Sequence, residues 1–158
     1  MERRNFLHLA AAAVASAAPP RFRLRRDKGS LALTAGDKTV WQFCYGRELS
    51  KPMFHPLSLV DGTVLTWDRP PDHPWHHSLW FSFKYLNHVN YWESDSREPR
   101  LKPAAEPGGL TDWSNVRIRT RGTGATISMD LNYHQPDQPP VLREHRVIEI
   151  SSPDASGQ

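Results

Sequence analysis

Residues 115–133 read NVRIRTRGTGATISMDLNY, and this stretch decides the fold. Apolar and polar side chains alternate on both sides of the segment Arg121-Gly122-Thr123-Gly124. A period of two residues places the two sets of side chains on opposite faces of a β-strand, and a short glycine-containing turn joins antiparallel neighbours. The stretch therefore predicts a β-hairpin with one buried face.

The same pattern of short strands and turns extends over the rest of the chain. We predict a long surface loop at 94–114 and no capped helix after the first eighteen residues. Strands at this spacing, separated by glycine and proline turns, predict an all-β fold, an antiparallel β-sandwich. No return strand follows the last predicted strand, so we expect the sandwich to be incomplete at its C-terminus. The other predicted strands are 21–25, 31–34, 39–45, 52–59, 63–67, 78–85, 89–92 and 140–150.

Composition bounds the class of protein. The chain has 158 residues, of which 38% are hydrophobic, which suits one domain with a modest core. The formal charge of +3 is small and the basic residues form no continuous stripe, so no nucleic-acid partner is expected. The single cysteine, Cys44, excludes an intrachain disulfide and a cysteine-based zinc site. No apolar run beyond the N-terminus is long enough to span a bilayer.

The N-terminus has the pattern of an export signal. Arg3-Arg4-Asn5-Phe6-Leu7 fits the twin-arginine motif, and an alanine-rich apolar run follows it. Ala15-Ser16-Ala17 fits an A-x-A cleavage site. We therefore predict a signal peptide over 1–17, a β-sandwich domain over 18–158, and export to the periplasm or the extracellular space.

The chemistry of the chain concentrates in residues 72–80, which read DHPWHHSLW. Imidazole titrates near neutrality, so three histidines beside one carboxylate predict a site of proton transfer or binding. His76 and His77 are adjacent and would point to opposite faces of a strand. The predicted catalytic residues are His73 and His77 as general acid or base, Asp72 as the carboxylate that orients one imidazole, and Glu93 as a second carboxylate.

Further residues are candidates for binding a substrate. Indole rings stack on flat apolar surfaces, including the C–H faces of sugars. Glu144 and Arg146 lie two residues apart on one predicted strand and so share a face. The predicted substrate-binding residues are His55, Trp75, His76, Trp92, Glu144 and Arg146.

Two other hypotheses fit the same residues. In the first, the protein is a non-catalytic carbohydrate-binding module, in which the tryptophans bind and the histidines are scaffolding. In the second, it is a metal-dependent oxygenase or hydrolase, because two histidines and a carboxylate can hold a divalent metal. The ligands would come from Asp72, His73, His76 and His77. The spacing matches no established metal motif, and we expect no other cofactor.

Several motifs together resemble one bacterial family, the PmoA-like proteins described as "methane oxygenase PmoA". The similar segments are KPMFHPL (51–57), DG (61–62), DHPWHHSLWF (72–81), Asn87 with WE (92–93), and EHR (144–146). The resemblance covers about residues 38–150. Where that family has a glycine after the paired histidines, this chain has Ser78.

The resemblance implies a β-supersandwich similar to galactose mutarotases, with carbohydrate as the substrate or ligand. It also implies a longer protein, of which this chain matches the N-terminal half. It does not imply membrane-embedded methane oxidation, because the chain has no spanning segment beyond its signal. We therefore expect an exported protein that uses His/Asp acid–base chemistry on a sugar, in an epimerase, lyase or hydrolase type of reaction.

Overall fold

A computed structural model describes residues 21–93 and 108–153. These residues form ten β-strands and no helix. The predicted signal peptide over 1–17 and most of the predicted 94–114 loop lie outside them. The strands are β1 (Phe22–Asp27), β2 (Ser30–Ala35), β3 (Lys38–Cys44), β4 (Met53–Leu57), β5 (Leu79–Trp80), β6 (Tyr85–Leu86), β7 (Val89–Asn90), β8 (Leu110–Arg121), β9 (Gly124–His134) and β10 (Leu142–Ile150).

The strands form antiparallel sheets. One sheet has five strands in the order β1-β2-β3-β4-β5, and a second has three in the order β10-β9-β8. Strands β6 and β7 form a separate two-stranded hairpin. The all-β antiparallel class predicted from the sequence is confirmed. No helix in the described part of the chain is long and apolar enough to cross a membrane.

The hairpin of β8 and β9 has the register that its alternation predicts. Arg121 pairs with Gly124 and Ile118 pairs with Ile127. Gly122 occupies the left-handed region at φ 60°, which glycine adopts without steric cost. Strand β9 alternates buried and half-buried residues over most of its length, so one face of the second sheet supplies the core.

The two larger sheets share one hydrophobic core, as the layers of a β-sandwich do. The first sheet contributes Leu31, Leu33, Trp41 and Phe43 to it, and the second contributes Trp113, Ile127, Met129, Leu131 and Tyr133. The Trp113 indole donates a hydrogen bond to the carbonyl of Tyr45 at 3.0 Å, which ties β8 to the chain just after β3. The core is therefore continuous between the layers.

Three predicted elements are wrong in detail. Residues 78–85 do not form one long strand, because Ser78 has φ 57° and only Leu79–Trp80 pairs with β4. Residues 63–67 form no strand, and a single bridge from Ser58 to Val64 replaces the second hairpin. Strand β8 is longer than predicted, since it begins at Leu110 and continues through a bulge at Asn115, whose φ is 54°. At Ser78 and Asn115, a left-handed backbone conformation interrupts the regular strand that apolar alternation predicts.

Candidate functional site

The histidine motif lies on a loop whose two ends are tied together. Asp68 and His77 form an isolated antiparallel bridge, and the amide of Arg69 donates to the carbonyl of His76 at 2.8 Å. Within the loop, the amide of His73 donates to the carbonyl of Pro70 at 2.9 Å, and the amide of His76 donates to that of His73 at 2.9 Å. Successive turns therefore hold residues 69–76 in a compact loop.

One side of this loop faces an open cavity of about 590 Å³, which we call the outer groove. Trp67, Thr66 and Ser78 line the groove together with Asp72, His73 and His76 of the loop. The Trp67 ring is an exposed apolar surface, because the residue is 66% exposed. The groove thus combines a free indole face with titratable side chains.

Asp72 and His73 form a hydrogen-bonded pair in the outer groove. Nδ1 of His73 lies 3.0 Å from Oδ2 of Asp72, and the two side chains are 60% and 75% exposed, in that order. The hydrogen bond from His73 holds the pKa of the Asp72 carboxyl below its usual range. Asp72 is therefore ionised at neutral pH and fixes the orientation of the His73 ring. Trp75 contacts this ring edge-on, with the ring centroids 5.4 Å apart.

His55 lies behind the wall of the outer groove. Its Nδ1 is 3.3 Å from Oγ of Ser78 and 3.4 Å from Oγ1 of Thr66, and both of those residues line the groove. Thr66 also accepts a hydrogen bond from the amide of Leu57 at 3.0 Å. His55 is half-buried, so it supports the groove wall through these hydroxyls rather than lining it.

His77 points to the other side of the loop, into a group of residues that we call the inner cluster: Ser50, Lys51, Asp68, His77, Trp80 and Trp92. Nδ1 of His77 lies 3.0 Å from Oδ1 of Asp68, and Nε2 lies 3.1 Å from Oγ of Ser50. Ser50 and His77 are each 4% exposed. Burial lowers the pKa of the His77 imidazole despite the opposing hydrogen bond to Asp68. His77 is therefore neutral at pH 7, with Nδ1–H donating to Asp68 and Nε2 facing the Ser50 hydroxyl.

Aromatic rings and a buried lysine complete the inner cluster. The rings of Trp80 and Trp92 lie 4.4 Å apart, and the ring of His77 is 5.9 Å from that of Trp80. Lys51 is buried, with Nζ 4.6 Å from the centre of the Trp80 ring and 3.4 Å from the carbonyl of Trp92. A cation held over an indole face is stabilised by the ring quadrupole.

Glu93 lies beside Trp92 but is bound to other groups. Its Oε1 is 3.1 Å from Nζ of Lys84, and its Oε2 accepts a hydrogen bond from Nδ2 of Asn90 at 3.0 Å. The amide oxygen of the fully buried Asn90 accepts from the backbone amides of Trp92 and Glu93. These contacts fix the turn after β7, and they account for both oxygens of the Glu93 carboxylate.

Glu144 and Arg146 lie on β10, in a separate place. The guanidinium of Arg146 binds the Glu144 carboxylate through two nitrogens at 2.6 and 2.9 Å, and the hydroxyl of Tyr133 donates to the same carboxylate at 2.8 Å. Burial tends to raise the pKa of Glu144, but the hydrogen bonds from Arg146 and Tyr133 outweigh it and lower the pKa. The pair faces a second groove of about 480 Å³ between β10 and Phe81.

The structure thus distributes the sequence-predicted site residues over three places. Asp72, His73, His76 and Trp75 lie in or beside the outer groove, with His55 behind its wall. His77 and Trp92 belong to the inner cluster, with Glu93 beside it, while Glu144 and Arg146 lie on β10. The shared face predicted for Glu144 and Arg146 agrees with their contact. The opposite faces predicted for His76 and His77 also agree with their positions.

The residues proposed as metal ligands do not converge. Within the described part of the chain, no group of three or more histidine, cysteine or acidic residues is placed to hold a metal ion. His77 is turned away from His73 and His76, because its two ring nitrogens face Asp68 and Ser50. Asp72, His73, His76 and His77 therefore do not form one metal-binding set in this structure.

A family model matches residues 30–157, which is most of the chain. Its description is "Family of unknown function (DUF6807)". This chain belongs to the DUF6807 family. No curated protein matches it. No solved structure matches it either.

Several residues of the DUF6807 site were not predicted from the sequence. Trp67 supplies the exposed ring of the outer groove, and Asp68 rather than Asp72 is the carboxylate that holds His77. Ser50 and Lys51 join the inner cluster from the segment before β4. A tryptophan next to an aspartate, directly before the proline bend, is the one local signal that singles out Trp67 and Asp68. Nothing local singles out Ser50.

We predict that His77 makes the stability of this DUF6807 chain depend on pH. The unfolded chain binds a proton at His77 near pH 6.5, while the folded chain binds it only at lower pH, since burial lowers the pKa. The free energy of unfolding should therefore fall as the pH drops through 6.5. Urea unfolding at pH 7.5 and pH 5.5 measures this loss.

His77→Gln should lower stability by about 1–3 kcal/mol at pH 7.5, because it disrupts the bonds to Asp68 and Ser50. It should also lose less further stability than the wild type on going to pH 5.5. His145→Gln is the matched control, since His145 is an exposed histidine on β10. Equal pH dependence in the wild type and His77→Gln would show that His77 is not held neutral.

Proposed function

We propose that this DUF6807 protein binds a carbohydrate in the outer groove and acts on it by acid–base chemistry. His73 would transfer the proton and Asp72 would orient it. The observation that carries the proposal is the exposed Trp67 ring in the same groove as the Asp72–His73 pair. An open indole face suits the C–H face of a sugar ring, and polar groups beside it suit the hydroxyls.

The proposed proton transfer follows from the charges of the pair. A neutral His73 ring accepts a proton from a sugar hydroxyl, and the resulting imidazolium is stabilised by the ionised Asp72 carboxylate at 3.0 Å. The same ring then returns the proton to a leaving or migrating oxygen. His76 and Ser78 line the groove and supply further hydrogen-bonding groups for a polar ligand. This chemistry serves an epimerase, a lyase or a hydrolase.

The resemblance of the 72–81 segment to PmoA-like proteins supports the carbohydrate proposal at the level of the fold. In that view, the sandwich belongs with the galactose-mutarotase type of supersandwich. The fold supports the proposal only by analogy, whereas the Asp72–His73 pair supports it through the chemistry of the site.

A non-catalytic carbohydrate-binding module is the second candidate. The observation that favours it is the exposure of the Asp72–His73 pair, since water screens charges in so open a groove. In a module, Trp67 supplies most of the binding energy and His73 none of the chemistry. The two candidates therefore differ in what the loss of His73 does.

Trp67→Ala should weaken binding to the best ligand of a glycan panel by about tenfold or more, because the stacking surface is lost. Tyr85→Ala, which removes another exposed aromatic ring, is the matched control and should leave binding unchanged. Calorimetric titration measures both. Unchanged binding in Trp67→Ala, or no binding of the wild type to any glycan, would contradict the proposal.

His73→Ala separates the enzyme from the module. We expect turnover of the bound glycan to fall by about 10²-fold or more, with the affinity retained, since a general acid–base group is removed. Product analysis by mass spectrometry and proton NMR measures the turnover. A wild-type protein that binds a glycan and leaves it unchanged is the module instead.

We also propose that the protein is exported by the twin-arginine pathway, on the strength of the Arg3-Arg4-Asn5-Phe6-Leu7 motif. Cell fractionation followed by N-terminal sequencing should recover a chain that begins at Ala18 outside the cytoplasm. Replacing Arg3 and Arg4 by lysine should retain the full-length protein in the cytoplasm. An unprocessed cytoplasmic chain in the wild type would refute export.

A further inference from the structure

The inner cluster contains three side chains in the relation that nucleophilic catalysis requires. The Ser50 hydroxyl is 3.1 Å from Nε2 of His77, and Nδ1 of His77 is 3.0 Å from the Asp68 carboxylate. A serine, a histidine that faces it, and a carboxylate that fixes the histidine tautomer form the arrangement that recurs on unrelated hydrolase folds. Asp68 and His77 are the two bridged ends of one loop, and Ser50 comes from a separate segment before β4.

We propose that Ser50 is a nucleophile that cleaves small carboxylic esters, with His77 as its general base and Asp68 as the residue that orients His77. This activity is distinct from the proposed chemistry of the outer groove. His76 and Ser78 line that groove, whereas His77 between them points to the inner cluster.

The charge state of the residues suits the role. A general base must hold an unprotonated nitrogen toward the nucleophile, and Nε2 of His77 faces the Ser50 hydroxyl. Because Nδ1–H donates to Asp68, the tautomer is fixed. The low pKa that burial gives His77 keeps this ring neutral at pH 7.

The Trp80 indole, whose ring neighbours His77, carries a buried polar donor. The indole nitrogen of Trp80 is buried and has no hydrogen-bond partner among the described residues. Its ring contacts His77 with centroids 5.9 Å apart, and the buried Lys51 ammonium lies 4.6 Å from the same ring. A buried donor without an acceptor is unfavourable, so an acceptor supplied by a ligand offsets a real penalty. The carbonyl oxygen of an ester is such an acceptor.

The proposed reaction is ester hydrolysis through an acyl-serine at Ser50. The Ser50 oxygen attacks the carbonyl carbon of the ester while Nε2 of His77 takes the hydroxyl proton. The bond from that carbon to the alkoxy oxygen then breaks, and His77 gives the proton to the leaving alkoxide, which departs as an alcohol. Water attacks the acyl-serine, its proton passes through His77 back to Ser50, and the carboxylic acid leaves.

Labelling of the unaltered protein tests the proposal without any variant. A fluorophosphonate probe reacts with serines that a neighbouring base activates, and peptide mapping identifies the serine. We expect the label on Ser50, and we expect slow labelling because Ser50 is 4% exposed. A fully folded chain that carries no label on Ser50 after prolonged exposure overturns the proposal.

Turnover of p-nitrophenyl acetate provides the second readout. Ser50→Ala and Asp68→Asn should each lower the rate by about 10³-fold or more, while Ser152→Ala, at an exposed serine, should leave it unchanged. Thermal unfolding confirms that each variant is folded. If folded Ser50→Ala hydrolyses p-nitrophenyl acetate at the wild-type rate, the hydrolysis comes from other groups such as surface histidines. That result would contradict the proposal that Ser50 is the nucleophile. If Ser50→Ala and Asp68→Asn still bind glycan, the proposed function of the outer groove is unaffected. If the wild type has esterase activity but binds no glycan, the outer-groove function is contradicted and the esterase proposal is supported.

Discussion

The hydrogen bond between Asp68 and His77 is the interaction on which the arrangement of the site depends. It joins the two ends of the loop that carries Asp72, His73 and His76, and it is reinforced by the backbone bridge between the same two residues. Because His77 is buried, the bond is shielded from water and the ring has one favoured orientation. A rotated His77 ring would lose its bonds to Asp68 and Ser50 and leave buried polar groups unsatisfied, while burial disfavours the charged ring.

The Asp68–His77 bond places the histidines of the 72–80 motif in two different environments. The residues on either side of His77 line a wet groove, where the Asp72–His73 pair is exposed and Trp67 offers a bare ring. His77 itself is buried with Ser50, beside the Trp80 and Trp92 rings, whose centroids are 4.4 Å apart. The same side-chain type therefore occupies two environments within a few residues: an exposed imidazole beside a carboxylate in an open groove, and a buried imidazole whose pKa burial lowers.

The class of fold was predictable from the sequence, whereas the site was predictable only in part. Alternation around Gly122 determines the β8–β9 hairpin, since only that register buries the apolar face. Alternation failed at Ser78, where a left-handed backbone conformation ends the strand pattern, and nothing in a two-residue period encodes that conformation. The sequence predicted that Asp72 orients one imidazole without deciding which, and the structure places it beside His73. The sequence could not reveal Asp68 as the partner of His77, because loop closure decides that contact.

The arrangement of the site requires a neutral His77 whose Nδ1–H donates to Asp68. Nitrogen-15 NMR of the histidine rings, recorded from pH 7.5 to pH 5.5, distinguishes the two tautomers and the imidazolium of each residue. We expect His77 to carry its proton on Nδ1 with Nε2 unprotonated at pH 7.5, and to titrate below pH 6.5 because burial lowers its pKa. A His77 ring that titrates at or above pH 6.5, or that carries its proton on Nε2, would contradict the account.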